Sequence, residues 1–533
     1  MECTQKLNTY LGQKGYTIAK NELSIEKQKQ IRNDLTIKPS NHGMSGLANQ
    51  TSFPAYRESS NKMYVPHYYG VENFGAAKQI KIGNGEDISL EFKGKLRETQ
   101  EIVVKTYIDH VKKAGFGGGL LELPCAAGKT VIALNIISQL KKKTFIIVHK
   151  EFLMNQWIER ITQFLPGARV GKIQGQIIEI NNKDIVIGML QSLSMKDYPS
   201  AIFDSFGLTI VDEVHHISSE VFSNSLFKLV TKYMLGLSAT MERKDGTTKV
   251  FKMFLGEVVF KGKRDEEHDV IVRAIEYKVN DDEFNETKLD FRGKPAYSSM
   301  ISKLCEYNRR SEFILKVLGD MLVENKAQQI MILAHNKNIL KYLYDAISHR
   351  NIATVGYYVG GMKEAALKET EGKQIVIATY AMAAEALDIK TLTTLIMATP
   401  KTDIEQSVGR ILREKHSNPV VVDIVDSHDL FKNQWKKRKT FYKRENYKII
   451  YTTTIQYTPD TSKWETVYEP TNKKKSNCIK TKSKKTASLK SNSSTDKSIT
   501  TESDSETELE KEDDIQDELQ DKHFTKCLLK IKK

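Results

Sequence analysis

Cysteine is scarce in this chain: five in 533 residues, at Cys3, Cys125, Cys305, Cys478 and Cys527, with no pairing pattern. That scatter excludes a disulfide framework and a structural zinc site, and it predicts a reducing, intracellular setting in nucleus or cytoplasm. Long apolar runs are missing as well. No stretch of about 18 or more apolar residues occurs, which predicts no membrane-spanning helix, and the first residues lack a signal-peptide core. Acid is the minority charge, with 67 Asp and Glu against 81 Lys and Arg, a net +14 and an isoelectric point of about 9.1. That imbalance predicts a polyanionic partner such as nucleic acid, although part of it sits in the tail rather than on one surface. No cluster of Asp, Glu and Lys of nuclease type stands out. With 40% hydrophobic residues the chain is long enough for two or three domains with cores of their own.

What is present is led by Pro124-Cys125-Ala126-Ala127-Gly128-Lys129-Thr130. An apolar run (Leu120, Leu121, Leu123) precedes it and a helix-like segment, Val131 to Leu140, follows. Strand, tight loop and helix in that order aim backbone N–H groups and a helix N-terminus at an anion. Lys129 adds charge for the outer phosphates of a nucleotide, and the Thr130 hydroxyl suits Mg²⁺. The strict form of this motif has a glycine five residues before Gly128, where this chain has Leu123.

A nucleotide hydrolase also needs a carboxylate pair at the end of a buried strand, one for Mg²⁺ and one to polarise water. Leu208-Thr209-Ile210-Val211 runs into Asp212-Glu213-Val214-His215-His216, which makes Asp212 the Mg²⁺ partner and Glu213 the water-positioning group. The two histidines lack the spacing of a zinc site. They read either as links between hydrolysis and motion or as structural residues. Tyr233-Met234-Leu235-Gly236-Leu237 then leads to Ser238-Ala239-Thr240, small hydroxyls placed after a buried strand where they can sense the neighbouring site.

In this order the motifs resemble the superfamily 2 helicases and translocases. The box from Asp212 to His216 and the run from Gly236 through Ser238, Ala239, Thr240, Met241, Glu242 and Arg243 to Gly246 are most similar to the XPB-type branch. That branch includes relatives in large DNA viruses, among them the poxvirus transcript-release helicase. The resemblance extends from about Leu96 to about Val425. It implies ATP and Mg²⁺ as cofactors, with Gln100 on the adenine and Asp388, in Glu385-Ala386-Leu387-Asp388-Ile389, near the nucleotide. It implies His216, Ser238 and Thr240 as coupling residues, and His149, Gln156, Gln191, Arg243 and Thr379 as nucleic-acid contacts of the kind that do not read sequence. Gln406-Ser407-Val408-Gly409-Arg410-Ile411-Leu412-Arg413 matches the sixth motif. Arg410 and Arg413, three apart on one helix face, are implied as fingers on the γ-phosphate, with Gln406 beside them. Phe152, Leu153 and Trp157 read as core packing. The branch carries Arg-Glu-Asp after its third motif, whereas this chain has Arg243-Lys244-Asp245.

The expected organisation is α/β: two RecA-like P-loop lobes with parallel sheets, a small N-terminal accessory domain and a disordered tail. The boundaries read as 1–85 for the accessory domain, 86–270 for the first lobe, 271–310 for a linker or insertion, 311–455 for the second lobe and 456–533 for the tail. Residues 53–56 and 63–70 read as short strands and turns, in a domain that either grips duplex or a partner, or caps the first lobe. Lys436 to Arg444 forms a basic, aromatic patch, read as a phosphate-contacting or a solvated face. The tail is Lys-rich to about Lys490 and acidic from Glu502 to Asp521, a composition that does not bury a core. The resemblance favours DNA over RNA as the track and 3′-to-5′ as the direction, with transcription or repair as the process. Transcription-machinery partners would bind through the N-terminal part or the tail, and a virion location goes with a viral source. The rivals are an RNA helicase of the same fold, the motor of a restriction-type nuclease, and a scaffold that binds nucleic acid without hydrolysis.

Overall fold

Uniformly apolar runs set the two main sheets. The computed structural model describes residues 7–38, 52–124, 127–216, 219–241, 247–262, 269–385, 387, 389–414, 416 and 418–470. The chain divides into two units, Met1–Glu266 and Glu267–Lys533.

In the first unit the strands are β1 (Gly117–Glu122), β2 (Thr144–Val148), β3 (Val170–Gln174), β4 (Ile177–Ile178), β5 (Ile185–Met189), β6 (Leu208–Val211), β7 (Tyr233–Ser238) and β8 (Val258–Lys261). Every residue of β2, β5, β6 and β7 is buried. Burial on both faces is what a parallel sheet covered by helices requires, so these strands do not alternate polar and apolar residues. The order is β4-β3-β5-β2-β6-β7-β1-β8, parallel throughout except for the β3–β4 hairpin. Val211 lies opposite Ile147 and Gly236, and Ser238 lies opposite Glu122. The loops leaving β1, β6 and β7 therefore gather on one edge of the sheet, the carboxyl edge where α/β folds place ligands. Helices α1 (Glu98–Ala114), α2 (Lys129–Leu140) and α3 (Glu151–Phe164) bury apolar stripes against it, among them Tyr107, Ile136 and Trp157.

The N-terminal residues form a five-stranded sheet, ordered Arg57–Glu58, Lys62–Val65, Gly15–Ala19, Thr9–Gly12, Gln79–Ile80. Residues 67–70, expected as strand or turn, instead open a helix, His67–Phe74. Pro66 precedes it, and its fixed φ is already set for a helix entry. Leu11, Tyr16, Ile18, Met63 and Val65 share one core with Phe145, Val211, Phe222 and Phe254 of the lobe. The Tyr68 hydroxyl donates to the Gly118 carbonyl at 3.0 Å and accepts from the Gly118 N–H at 2.6 Å, fastening that helix to β1.

The second unit's strands are β9 (Ile271–Tyr277), β10 (Gln329–Ala334), β11 (Val355–Tyr358), β12 (Ile375–Thr379), β13 (Leu392–Met397), β14 (Val420–Asp426), β15 (Lys448–Thr453) and β16 (Glu465–Tyr468). They run β11-β12-β10-β13-β14-β9-β15-β16, parallel except for the last pair. The two lobes thus have the parallel-sheet α/β architecture the sequence predicts. The expected linker from 271 is corrected, because β9 lies inside the sheet between β14 and β15. The tail expected from 456 starts later, since β16 pairs with β15 and Trp464 is buried.

Helices α4 (Asn308–Glu324), α5 (Glu405–Gly409) and α6 (Asp429–Arg444) belong to this unit. Strand β14 carries two fully buried carboxylates. Arg310 of α4 grips Asp426 through Nε and Nη2 at 2.6 and 2.8 Å and donates to the Ala398 carbonyl at 2.7 Å. Arg438 of α6 grips Asp423 at 2.8 Å through both Nε and Nη2, and the Tyr442 hydroxyl donates to Asp423 at 3.0 Å. Arg438 and Tyr442, read from sequence as part of a surface patch, are core residues for this reason. A buried carboxylate needs a forked cation to compensate its lost hydration.

Candidate active site

The phosphate loop leaves β1 at Leu123, whose N–H donates to the Ser238 carbonyl at 2.8 Å. Gly128 is left-handed (φ 80°, ψ 42°), and α2 begins at the next residue, Lys129. A side chain at 128 would be strained by φ and would place its Cβ 2.4 Å from Gln100 Nε2. Gln100 is buried at the start of α1. Its amide donates to the Ala127 carbonyl at 2.9 Å and accepts from the Arg97 N–H at 3.0 Å, and Arg97 Nη2 reaches the same Ala127 carbonyl at 2.8 Å. The residue expected on the adenine therefore holds the phosphate loop in this structure.

Across the carboxyl edge, β6 ends at Val211 and turns sharply. Glu213 has φ of 46°, a left-handed value that a non-glycine residue adopts at a cost of about 1–2 kcal/mol. Its N–H donates to Asp212 Oδ1 at 3.0 Å, and its carboxylate meets Lys129 Nζ at 2.6 Å. His215 Nδ1 lies 2.7 Å from Ser238 Oγ and 3.4 Å from Glu213 Oε2. Ser238 Oγ donates to the Thr240 carbonyl.

Asp212 is buried and accepts the Trp157 indole N–H on Oδ2 at 2.9 Å. Burial, and then the neighbouring Glu213 charge, push its carboxyl up to about 6, against the opposing pull of Lys129 and the indole. A desolvated carboxylate of this kind, with Thr130 in the first turn of α2, fits a divalent cation whose remaining ligands are water and phosphate oxygens. Among the described residues no group of three or more His, Cys, Asp and Glu forms a metal cage.

Residues 93–243 match the family model described as "Type III restriction enzyme, res subunit". A protein of Acanthamoeba polyphaga mimivirus named "Putative ATP-dependent RNA helicase" is 35% identical over 455 residues, 83% of this chain and 86% of that one. This chain belongs to the superfamily 2 helicases. An African swine fever virus protein with the same name is 27% identical over 392 residues, covering 69% of this chain and 76% of its own length. The "DNA 3'-5' translocase XPB2" of Sulfurisphaera tokodaii is 26% identical over 404 residues, 67% of this chain and 89% of its own.

As a superfamily 2 member the protein is an ATP-dependent helicase that binds nucleic acid, and no described helix is long and apolar enough to cross a membrane. In the helicase's first unit, Pro124, Ala127, Gly128, Lys129, Thr130, Asp212, Glu213, Ser238 and Thr240 come together at one edge. His149 and Gln191 follow the adjacent strands β2 and β5, and Gln156 sits half-buried on α3. In the second unit, Thr379 ends β12 and is buried, and Gln406 is half-buried on α5. Arg410 and Arg413 follow α5 where it tightens into a 3₁₀ turn, Arg410–Leu412. Three residues complete a 3₁₀ turn, so the two still share a direction. Arg410 is buried and donates to the Leu387 carbonyl at 2.9 Å. Cys125, Ala126, Arg243 and Asp388 lie outside the described residues, as does the side chain of His216. The histidine seen on Ser238 is His215. Two helicase residues were missed as site residues, Trp157 and Arg97. Trp157 falls on the apolar stripe of α3, and nothing local marks its indole as a partner for a carboxylate 55 positions on.

Proposed function

We propose that the protein is a nucleic-acid-stimulated ATPase that translocates on DNA, with 3′-to-5′ polarity, in transcription or repair. The observation that carries the ATP chemistry is the 2.6 Å pair between Lys129 and Glu213 beside the buried Asp212. Arriving phosphates would draw Lys129 to themselves and release Glu213 to orient the attacking water. Asp212 and Thr130 would hold Mg²⁺, which supplies neutralising charge on the phosphate oxygens. Arg410 and Arg413 would offer planar, permanently charged groups to the γ-phosphate. The His215–Ser238 bond would report the position of Glu213 to the strand end.

The XPB-type motif order and the translocase relative support DNA. An RNA track is the second reading, supported by the names of the mimivirus and African swine fever virus relatives. The deciding experiment measures ATP hydrolysis by wild type and Lys129→Ala, alone and with single-stranded DNA, duplex DNA or RNA. DNA stimulation lost in the variant is the expected result. Stimulation by RNA alone would move the track to RNA. Equal hydrolysis with and without any nucleic acid would sink the coupling.

A further inference from the structure

Residues 288–296 make a tight β-turn whose tip puts an aromatic ring into water. Phe291 is 90% exposed, and Leu289 beside it is 59% exposed. One exposed hydrophobic residue is ordinary on a protein surface. This one is different because the backbone that carries it is locked. Asp290 N–H donates to the Lys294 carbonyl (2.7 Å), Gly293 N–H to the Asp290 carbonyl (3.0 Å) and Ala296 N–H to the Lys288 carbonyl (2.8 Å). Asp290 Oδ1 accepts from the N–H groups of Arg292 (2.8 Å) and Lys294 (2.9 Å). Gly293 provides the left-handed step, with φ of 76°. The stem is anchored in the core through Phe284, Tyr297 and Met300, all buried.

Charge at the tip is net positive. Lys288, Arg292 and Lys294 are exposed, against one local carboxylate, Asp290, which the backbone N–H groups it caps keep ionised. The Arg292 guanidinium lies 4.9 Å from the Phe291 ring centroid, so ring and cation form one unit. A rigid platform loses little entropy when something docks on it. An aromatic face flanked by cations matches an unpaired base, whose own face is apolar and whose phosphates are anionic.

We propose that this turn is a stacking site for single-stranded nucleic acid, with Phe291 as the platform and Lys288, Arg292 and Lys294 on the adjoining phosphates. The inference rests on the nucleic-acid reading above and adds the place where a strand end or unpaired base is held. Stacking tolerates every base, so the site would serve a motor that moves regardless of sequence.

The test is equilibrium binding of fluorescent oligo(dT), oligo(U) and a blunt duplex to full-length wild type, Phe291→Ala and Phe291→Trp, read by anisotropy. Melting temperatures check that each variant is folded. Loss of the ring should weaken single-strand binding roughly 5- to 150-fold, the equivalent of about 1–3 kcal/mol. Duplex affinity should change by less than about twofold, because its base faces are covered. Phe291→Trp should restore single-strand affinity and show indole quenching on oligonucleotide addition beyond that of wild type. The oligo(dT) and oligo(U) arms tell which strand is held. Wild type that binds single strands while Phe291→Ala binds them equally well would overturn the stacking site and leave the motor reading standing. Wild type that binds no nucleic acid would overturn both.

Discussion

Trp157→Phe is the most informative single substitution at the candidate nucleotide site. It keeps an aromatic ring in the α3 stripe and removes one atom's function, the indole N–H given to Asp212 at 2.9 Å. A hydrogen bond to a charged group is worth about 1.5–3 kcal/mol, so the loss corresponds to roughly 10- to 150-fold in an equilibrium constant. Under the proposed role of Asp212 that loss appears as a higher Mg²⁺ concentration for half-maximal ATP hydrolysis. The pH profile should move with it. Asp212 must be ionised to hold a cation, and burial and the Glu213 charge raise its pKa. Proton and cation therefore compete for this carboxylate, and activity falls on the acid side. Taking away an influence that lowers this value moves the acid limb to higher pH. Packing loss alone would lower the melting temperature and leave the Mg²⁺ midpoint where it was, so thermal melts run alongside separate the two effects. A variant with its Mg²⁺ midpoint within twofold and its acid limb unmoved would refute the reasoning.

Gly128→Ala should cut ATP affinity by about tenfold or more. The left-handed φ costs roughly 1–2 kcal/mol, and the new Cβ would displace Gln100 from the Ala127 carbonyl; binding of a fluorescent ATP analogue checks it. Asp426→Leu strands a fully buried guanidinium at Arg310. It should destabilise the second unit by about 3–5 kcal/mol, measurable by hydrogen exchange of β14 amides. Glu58 bonds Arg32 and Lys20, which hold its carboxyl at about 2 against an ordinary 4.5. The depressed value means its contribution is present above the unfolded value near 4.5 and fades as pH falls through about 2. Wild type and Glu58→Gln should accordingly differ in melting temperature at pH 6 and converge toward pH 2; a constant difference would contradict this.

The main sheets, and the strand and helix that flank the candidate phosphate loop, were legible because their signals are local. Leu208 to Val211 is an apolar run stopped by two carboxylates, and the strand ends where the run ends. Strand β9 was hidden because Arg273 and Glu276 interrupt its apolar pattern. Arg273 is neutralised by both oxygens of Glu324 at 2.6 Å, and Glu276 accepts from the Tyr451 hydroxyl, so charges that look like a linker sit inside a sheet. The same physics hid Arg438. Its neighbours Lys436, Lys437 and Lys439 are half-buried or exposed, and the distant Asp423 and Lys401 carbonyl hold that one cation inward. At the candidate nucleotide site, order alone places the residues on their loops and strand ends. Which group holds which could not be read from order, and Gln100 on Ala127, Trp157 on Asp212 and His215 on Ser238 all span 23 positions or more.

The shared core of the N-terminal sheet and the first lobe has a consequence for how the chain is made. Leu11, Tyr16 and Met63 leave the ribosome early, whereas Phe222 and Phe254, which complete the same core, follow far later. At ~5–20 residues per second, synthesis of the intervening chain takes roughly ten to forty seconds. For that interval the nascent sheet presents an unfinished apolar face, and its Arg57–Glu58 strand stands at an edge. The core of the N-terminal sheet is thus completed only once the helix that carries Phe254 has been made.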